Sequence, residues 1–467
     1  MSNGFGFGPE EPMDDSNKNE ANDSSNGDAN QFDPNQFDPN QFDINKVFEQ
    51  MRAMGIPTPE LPDHVKDQLN ALTAMAQGML GSAGNASGEP FKLPVNVIRD
   101  ISRKTLAESG ERPVGHLDSD AMKGALQLAD LWIDAVTALP MSSRPESDSL
   151  AGSRSDWINY SIDGWQSFTT PLVEGIADAM HRMISSASES QPMMPQLNIS
   201  QLMAGFMGTM IRTQLGRSIG KFATTVTSAH DAAIPLSSTA TSFLIPENVR
   251  VWGEGLGIDE REVEIFLALR EAAAARLFAA TPWLQSHLHT LVSRYGRGIN
   301  IDVESMQRQA EDALSRGDID PSDPLSMQNA IAQGVFTPEE SESQRVALSQ
   351  LELLLALIEG WIDLIVTEAA GDRLPSLSRL QETQRRRRAT QSPTQELFAS
   401  LIGLEVSPRT IRECSSFWRY VTNELTLQER DQLWEDPFAL PTVEEISDPE
   451  NFLRARRVPD DLSGLEG

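Results

Sequence analysis

Cysteine is almost missing from this chain. One residue, Cys414, among 467 excludes an intramolecular disulfide, and it leaves too few thiols for a zinc site of four cysteines or of two cysteines and two histidines. Such usage leads one to expect a reducing cytoplasm. Basic residues are short as well: 38 Lys and Arg stand against 68 Asp and Glu, a formal charge of −30. The overall field therefore repels polyanions, which excludes nucleic acid as a general partner. Long apolar runs are lacking too. The most apolar stretch, Leu351 to Val366, is broken by Glu352, Glu359 and Asp363 and falls short of the roughly 20 residues that a bilayer span requires. The opening MSNGFGFGPEEPMDD has neither the basic start nor the apolar stretch of a secretory signal. The expectation is a cytoplasmic protein with no membrane partner.

Histidine is the next scarcity, with six in all: His64, His116, His181, His230, His287 and His289. His287 and His289 are two positions apart, which on a helix turns them about 200° from each other. They cannot share a metal as an i, i+4 pair would, and packing or surface roles are expected for them. No G-x-S-x-G turn is present to raise a nucleophilic serine. There is no Walker A lysine loop, and the glycines of GFGFG precede no element that could cradle phosphate.

What the chain does have is helical periodicity. An Asn-, Asp-, Ser- and Gly-rich leader over residues 1–44 carries the tandem QFDPN, QFDPN, QFDIN, with Phe32, Phe37 and Phe42. It holds too little apolar surface to offset the entropy of ordering, so a disordered acidic leader is expected, either solvating or acting as a docking tail. Val65, Leu69, Leu72, Ala76 and Met79 then step by three and four along one helix face. Helices are expected over Ala121 to Leu139, Trp157 to Ser185, Ile199 to Phe222, Glu260 to Ala279, Thr281 to Tyr295, Ser343 to Ala370, Thr394 to Gly403 and Pro408 to Leu425. Gly205, Gly208, Gly216 and Gly220 lie inside one of these, where each costs roughly 1 kcal/mol against alanine, and they imply a neighbouring helix that comes close. The run Arg385 to Arg388 reads as a solvated helix end. The nearest strand candidate, Asn248 to Trp252, is short.

The fold class is mainly α. The expected organisation is the leader, a helical region over residues 45–435 with a bundle over 45–240 and a second part over 241–435, and a loosely ordered acidic tail over 436–467.

The segment FLALREAAAARLFAATPWLQSHL, Phe266 to Leu288, is preceded by FLIPENVRVWGEGLGIDEREVEIF and followed further on by LLALIEGWIDLIV. With the FGFG start, GFMGTMIRTQLGRSIG and RRRRAT, these segments resemble the actinobacterial family of zinc-dependent metalloproteases of the zincin type. The resemblance runs from Asn45 to Leu425 and implies a zincin-like multi-helical domain; some relatives have been linked to biosynthesis of a deazaflavin cofactor. Metal-bearing members carry H-E-x-x-H, in which two imidazoles one helical turn apart bind zinc and the glutamate polarises a zinc-bound water.

At the matching positions this chain has Arg270, Glu271 and Ala274. Neither a guanidinium nor a methyl group donates a lone pair. The resemblance makes Glu359, in the EGW segment, the third-ligand position, with Asp363 one turn further on. Glu271, Glu359 and Asp363 without an imidazole would suit magnesium or calcium better than zinc. Arg270 could instead supply the positive charge that grouped acids need. EAAAAR is also simply strong helix former.

The reading is a hydrolase-family member with a degenerate motif and no cofactor. It is expected to have lost zinc binding and catalysis and to act as a pseudoenzyme, a binding or scaffold protein for a protein or peptide partner. The alternatives are a hydrolase with Glu271 as general base and an adaptor working through the QFDPN leader.

Overall fold

The computed structural model describes residues 94–142, 150–190, 199–237, 241–300, 308, 316, 340–390 and 407–456. All belong to one compact unit, Ser87–Gly467. The leader with its repeats, the Val65 to Met79 pattern and the expected Thr394 to Gly403 helix lie outside the described residues. Among those described, thirteen α-helices and no named strand occur: α1 (Val95–Ser109), α2 (His116–Ile133), α3 (Arg154–Ser190), α4 (Ile199–Ala223), α5 (Pro246–Gly253), α6 (Glu260–Ala280), α7 (Trp283–Arg297), α8 (Glu342–Ala370), α9 (Leu377–Thr390), α10 (Pro408–Glu424), α11 (Leu427–Gln432), α12 (Val443–Ser447) and α13 (Pro449–Arg456). None of the described helices is long and apolar enough to cross a membrane.

Two helices make the centre. In α6 the Asp259 side chain caps the start by accepting from the Arg261 N–H, and Glu260 and Glu262 sit where the helix dipole favours acids. From Ile265 to Phe278 every residue is buried, which is the environment of a helix enclosed on all sides. Alanine at 272–275 lets neighbours approach closely. Helix α8 starts from a Ser341/Gln344 capping box and stops at Gly371, whose φ of 47° suits glycine. Helix α6 packs against α2 and α8, α8 against α10 and α7, α3 against α7 and α4, and α1 against α4.

The expected close approach is present at Gly216 and Gly220 of α4. A Cβ on Gly220 would lie 2.6 Å from the Ser102 carbonyl oxygen of α1.

Three expectations change. Asn248 to Trp252 is helix, in α5, because Pro246 at its first position pre-sets helical φ. The helix expected from Ala121 to Leu139 begins at His116 and stops at Ile133. The acidic C-terminal stretch is ordered as far as Arg456. Thr442 and Glu445 form a capping box, and Phe452 and Leu453 are 0% and 6% exposed, with the Phe452 ring edge-on to Phe417. Burial of these two side chains outweighs the local polarity. Residues 457–467 lie outside the description.

Candidate functional site

Successive residues on a helix diverge by about 100°, so Arg270 and Glu271 on α6 face different neighbours. Arg270 faces α8. Its Nη2 donates to Glu359 Oε2 at 2.8 Å and its Nη1 to Asp363 Oδ1 at 2.5 Å. Glu359 and Asp363 are one turn apart on α8 and so present carboxylates on one face. Burial alone would lower the Arg270 pKa. The negative charges of Glu359, Asp363 and Asp231 outweigh that and hold the guanidinium above its usual value.

The arginine run at the end of α9 divides. Arg385 and Arg386 pair with Glu382 at the surface. Arg387 lies over the Trp252 ring, its carbon 4.9 Å from the centroid, and donates to the Trp252 carbonyl. Burial lowers its pKa, with Asp231 pulling the other way. Arg388 pairs with Glu359 and lies 3.8 Å from Asp231. The reading of this run as a solvated end therefore holds for its first half alone. The turn of α9 carries the second half inward, where carboxylates offset its desolvation.

Glu271 faces the segment after α4. Its Oε2 accepts the His230 main-chain N–H at 3.0 Å, and its Oε1 accepts from His230 Nδ1 at 2.8 Å. The two side chains are 0% and 2% exposed. His230 Nε2 in turn lies 2.9 Å from the Tyr160 hydroxyl of α3. The imidazole is packed against Phe278, with ring centroids 5.3 Å apart. The loop bearing His230 is pinned by bridges of Leu244 to Ala151 and Ser228. Asp231 accepts from the Thr227 N–H and hydroxyl.

Arg270, Glu359 and Asp363 are thus brought together. Glu271 is turned away from them and held by His230, and Ala274 is buried among apolar side chains. Glu271, Glu359 and Asp363 are not assembled as a hard-cation set. Among the described residues, no group of three or more His, Cys, Asp or Glu side chains is placed to hold a metal ion.

A sequence profile described as zincin-like metallopeptidase matches residues 95–453. The chain belongs to that family. A solved structure from Chloroflexus aurantiacus, named as that of a "putative hydrolase with a novel fold", superimposes with a TM-score of 0.51 at 18% identity, over 79% of this chain and all of that one. At that identity the likeness speaks for the fold. No curated protein matches the sequence.

Against the zinc that the family name implies, the donor set of this zincin-like member does not fit. The cation position between α6 and α8 is filled by the Arg270 guanidinium, and both acidic residues of α8 are engaged by arginine. His287 is edge-on to Trp283 on α7, and burial, with Arg294 nearby, lowers its pKa.

Sequence reasoning passed over His230, Asp231 and Tyr160. His230 lies 41 residues before Glu271 in a connecting loop, and no spacing rule joins a loop residue to a helix that far downstream. The scarcity of histidine was the one available signal. Five others shared it.

Proposed function

We propose that this member of the zincin-like family has exchanged its zinc centre for a fixed ion-pair network and acts as a cytoplasmic binding protein for a protein or peptide partner, without metal-assisted hydrolysis. The observation that supports this reading is the Arg270 guanidinium held between Glu359 and Asp363. A permanent cation there satisfies the two carboxylates as a metal would, yet it carries no exchangeable water to activate. Enclosure of Glu271 supports the same reading, because a general base has to reach the proton it removes.

The test is metal analysis of protein purified without chelators, together with peptide hydrolysis by the wild type and by Glu271→Gln. The expected result is less than stoichiometric zinc and no hydrolysis that the substitution removes. Stoichiometric zinc with peptide hydrolysis lost in Glu271→Gln would overturn the proposal.

One observation favours a second reading, a hydrolase that needs no metal: both Glu271 oxygens are spent on His230, so any action of Glu271 as a base passes through that imidazole. An activity that survives EDTA and disappears in Glu271→Ala supports it; an activity indifferent to Glu271→Ala removes it.

A further inference from the structure

Tyr160, His230 and Glu271 come from α3, the loop after α4, and α6, and they meet in the order hydroxyl, imidazole, carboxylate. The carboxylate sits on Nδ1 and the hydroxyl on Nε2. That is the assignment of ring nitrogens by which an imidazole takes a hydroxyl proton while a carboxylate orients the ring and steadies the charge it acquires.

The array is held firmly. Glu271 grips both the main chain and the ring of His230, Phe278 packs on the ring, and Ala233, three residues on, is kept at a φ of 56°. A left-handed alanine persists only where its surroundings over-determine it. Tyr160 is the partly exposed member, its ring perpendicular to that of Phe243.

We propose that Tyr160 is a metal-independent acyl-accepting nucleophile, activated by His230 and oriented through Glu271, for activated esters and thioesters of uncharged acyl groups. The phenol oxygen forms a bond to the acyl carbon, and the bond from that carbon to its oxygen or sulfur leaving group breaks. The phenolic proton passes to His230 Nε2 and from there to the leaving group. The products are an acylated Tyr160 and a free alcohol or thiol.

Burial, and after it the charge of Glu271, holds the Tyr160 pKa above the usual phenol range, with the Ser237 hydroxyl pulling the other way. A standing phenolate is therefore disfavoured, and the proton has to leave as the new bond forms, which an adjacent imidazole allows. The Phe243 ring packed against Tyr160 favours an uncharged acyl group. This site does not rest on the partner-binding reading, and either can fail alone.

The chain has three tyrosines, so Tyr295 and Tyr420 serve as internal references. Full-length protein is incubated with p-nitrophenyl acetate and EDTA at neutral pH, and acetylation of each tyrosine is followed by peptide mass spectrometry. Tyr160 is expected to react on the order of 100-fold faster than the other two, the scale of general-base assistance. Glu271→Gln and His230→Gln, each checked for a wild-type circular dichroism spectrum, should bring Tyr160 to the reference rate and leave Tyr295 unchanged. Equal acetylation of the three tyrosines in the wild type overturns the proposal without any variant, as does undiminished Tyr160 labelling in a folded Glu271→Gln protein.

Discussion

Helix α6 buries two arginines, Arg270 and Arg276, at 7% and 1% exposure, and the balance of their partners differs. Arg276 reaches the C-terminal end of α2. It donates to the Asp130 carbonyl at 2.9 Å and to the Leu139 carbonyl at 3.5 Å, and it pairs with Asp134 at 2.7 Å and with the buried Asp130 carboxylate at 3.3 Å. The last turn of a helix carries the negative end of its dipole, so a cation there is an ordinary structural device. The bonded partners of Arg270 are side-chain carboxylates of α8, with a second arginine, Arg388, sharing one of them. A buried guanidinium is therefore no mark of a former active site. What distinguishes Arg270 is a concentration of acids that have no other reason to be grouped in a helical core.

The comparison can be broken most directly by removing each guanidinium while keeping its bulk. Arg270→Met leaves Glu359 and Asp363 facing one another and should lower unfolding free energy by roughly 3–5 kcal/mol, the cost of breaking a buried ion pair. Arg276→Met should cost less, roughly 2–3 kcal/mol, because Asp134 is half exposed and can rehydrate, and the Asp130 carboxylate alone is left buried. Urea denaturation at neutral pH measures both. A larger loss for Arg276→Met would mean that the helix-end contacts, and not the acidic cluster, dominate the stability of α6.

Double-mutant cycles sharpen the same contrast. Arg270→Met with Glu359→Met should cost less than the sum of the two single changes by roughly 1–3 kcal/mol, since removing both charges leaves less uncompensated. For Arg276→Met with Asp134→Asn the coupling should stay under about 0.5 kcal/mol, as for other exposed pairs. Equal couplings would show that both arginines stand in one electrostatic environment.

Much of this architecture could be read from the sequence, because its long helices carry strong period. The strong helix formers of EAAAAR mark α6, and the apolar Leu351 to Val366 stretch marks α8. The positions of Arg270, Glu359 and Asp363 were also legible, through the motif that they interrupt. Their division was not. Whether Glu271 faces α8 or the opposite side depends on the rotation of α6, and an alanine-rich helix buried all round gives no amphipathic stripe from which to read that rotation. Arg387 and Arg388 were misjudged for a related reason: a run of four arginines has no polar and apolar sides, so only packing distinguishes those facing Glu382 from the one facing Glu359. The ordered C-terminus was hidden because Phe452 and Leu453 stand alone in a polar stretch, too short for a period to register.

The smallest expected effect tests where the acidic cluster meets water. The side chains of Arg388 and Asp231 are each 21% exposed, against 8% for the side chain of Arg270 and 5% for that of Glu359. Arg388→Gln should therefore cost only about 1 kcal/mol, since solvent screens a rim pair and the amide can still donate a hydrogen bond. The cost should also shrink when sodium chloride is raised from about 0.05 to 0.5 M, because the Debye length then falls well below the size of the cluster, while that of Arg270→Met should barely change. A salt-insensitive loss in Arg388→Gln as large as that of Arg270→Met would place both arginines in one sealed interior. The acids would then form a single buried lattice that includes Asp231, with no open edge, and the distinction between the centre of the network and its rim would have to be given up.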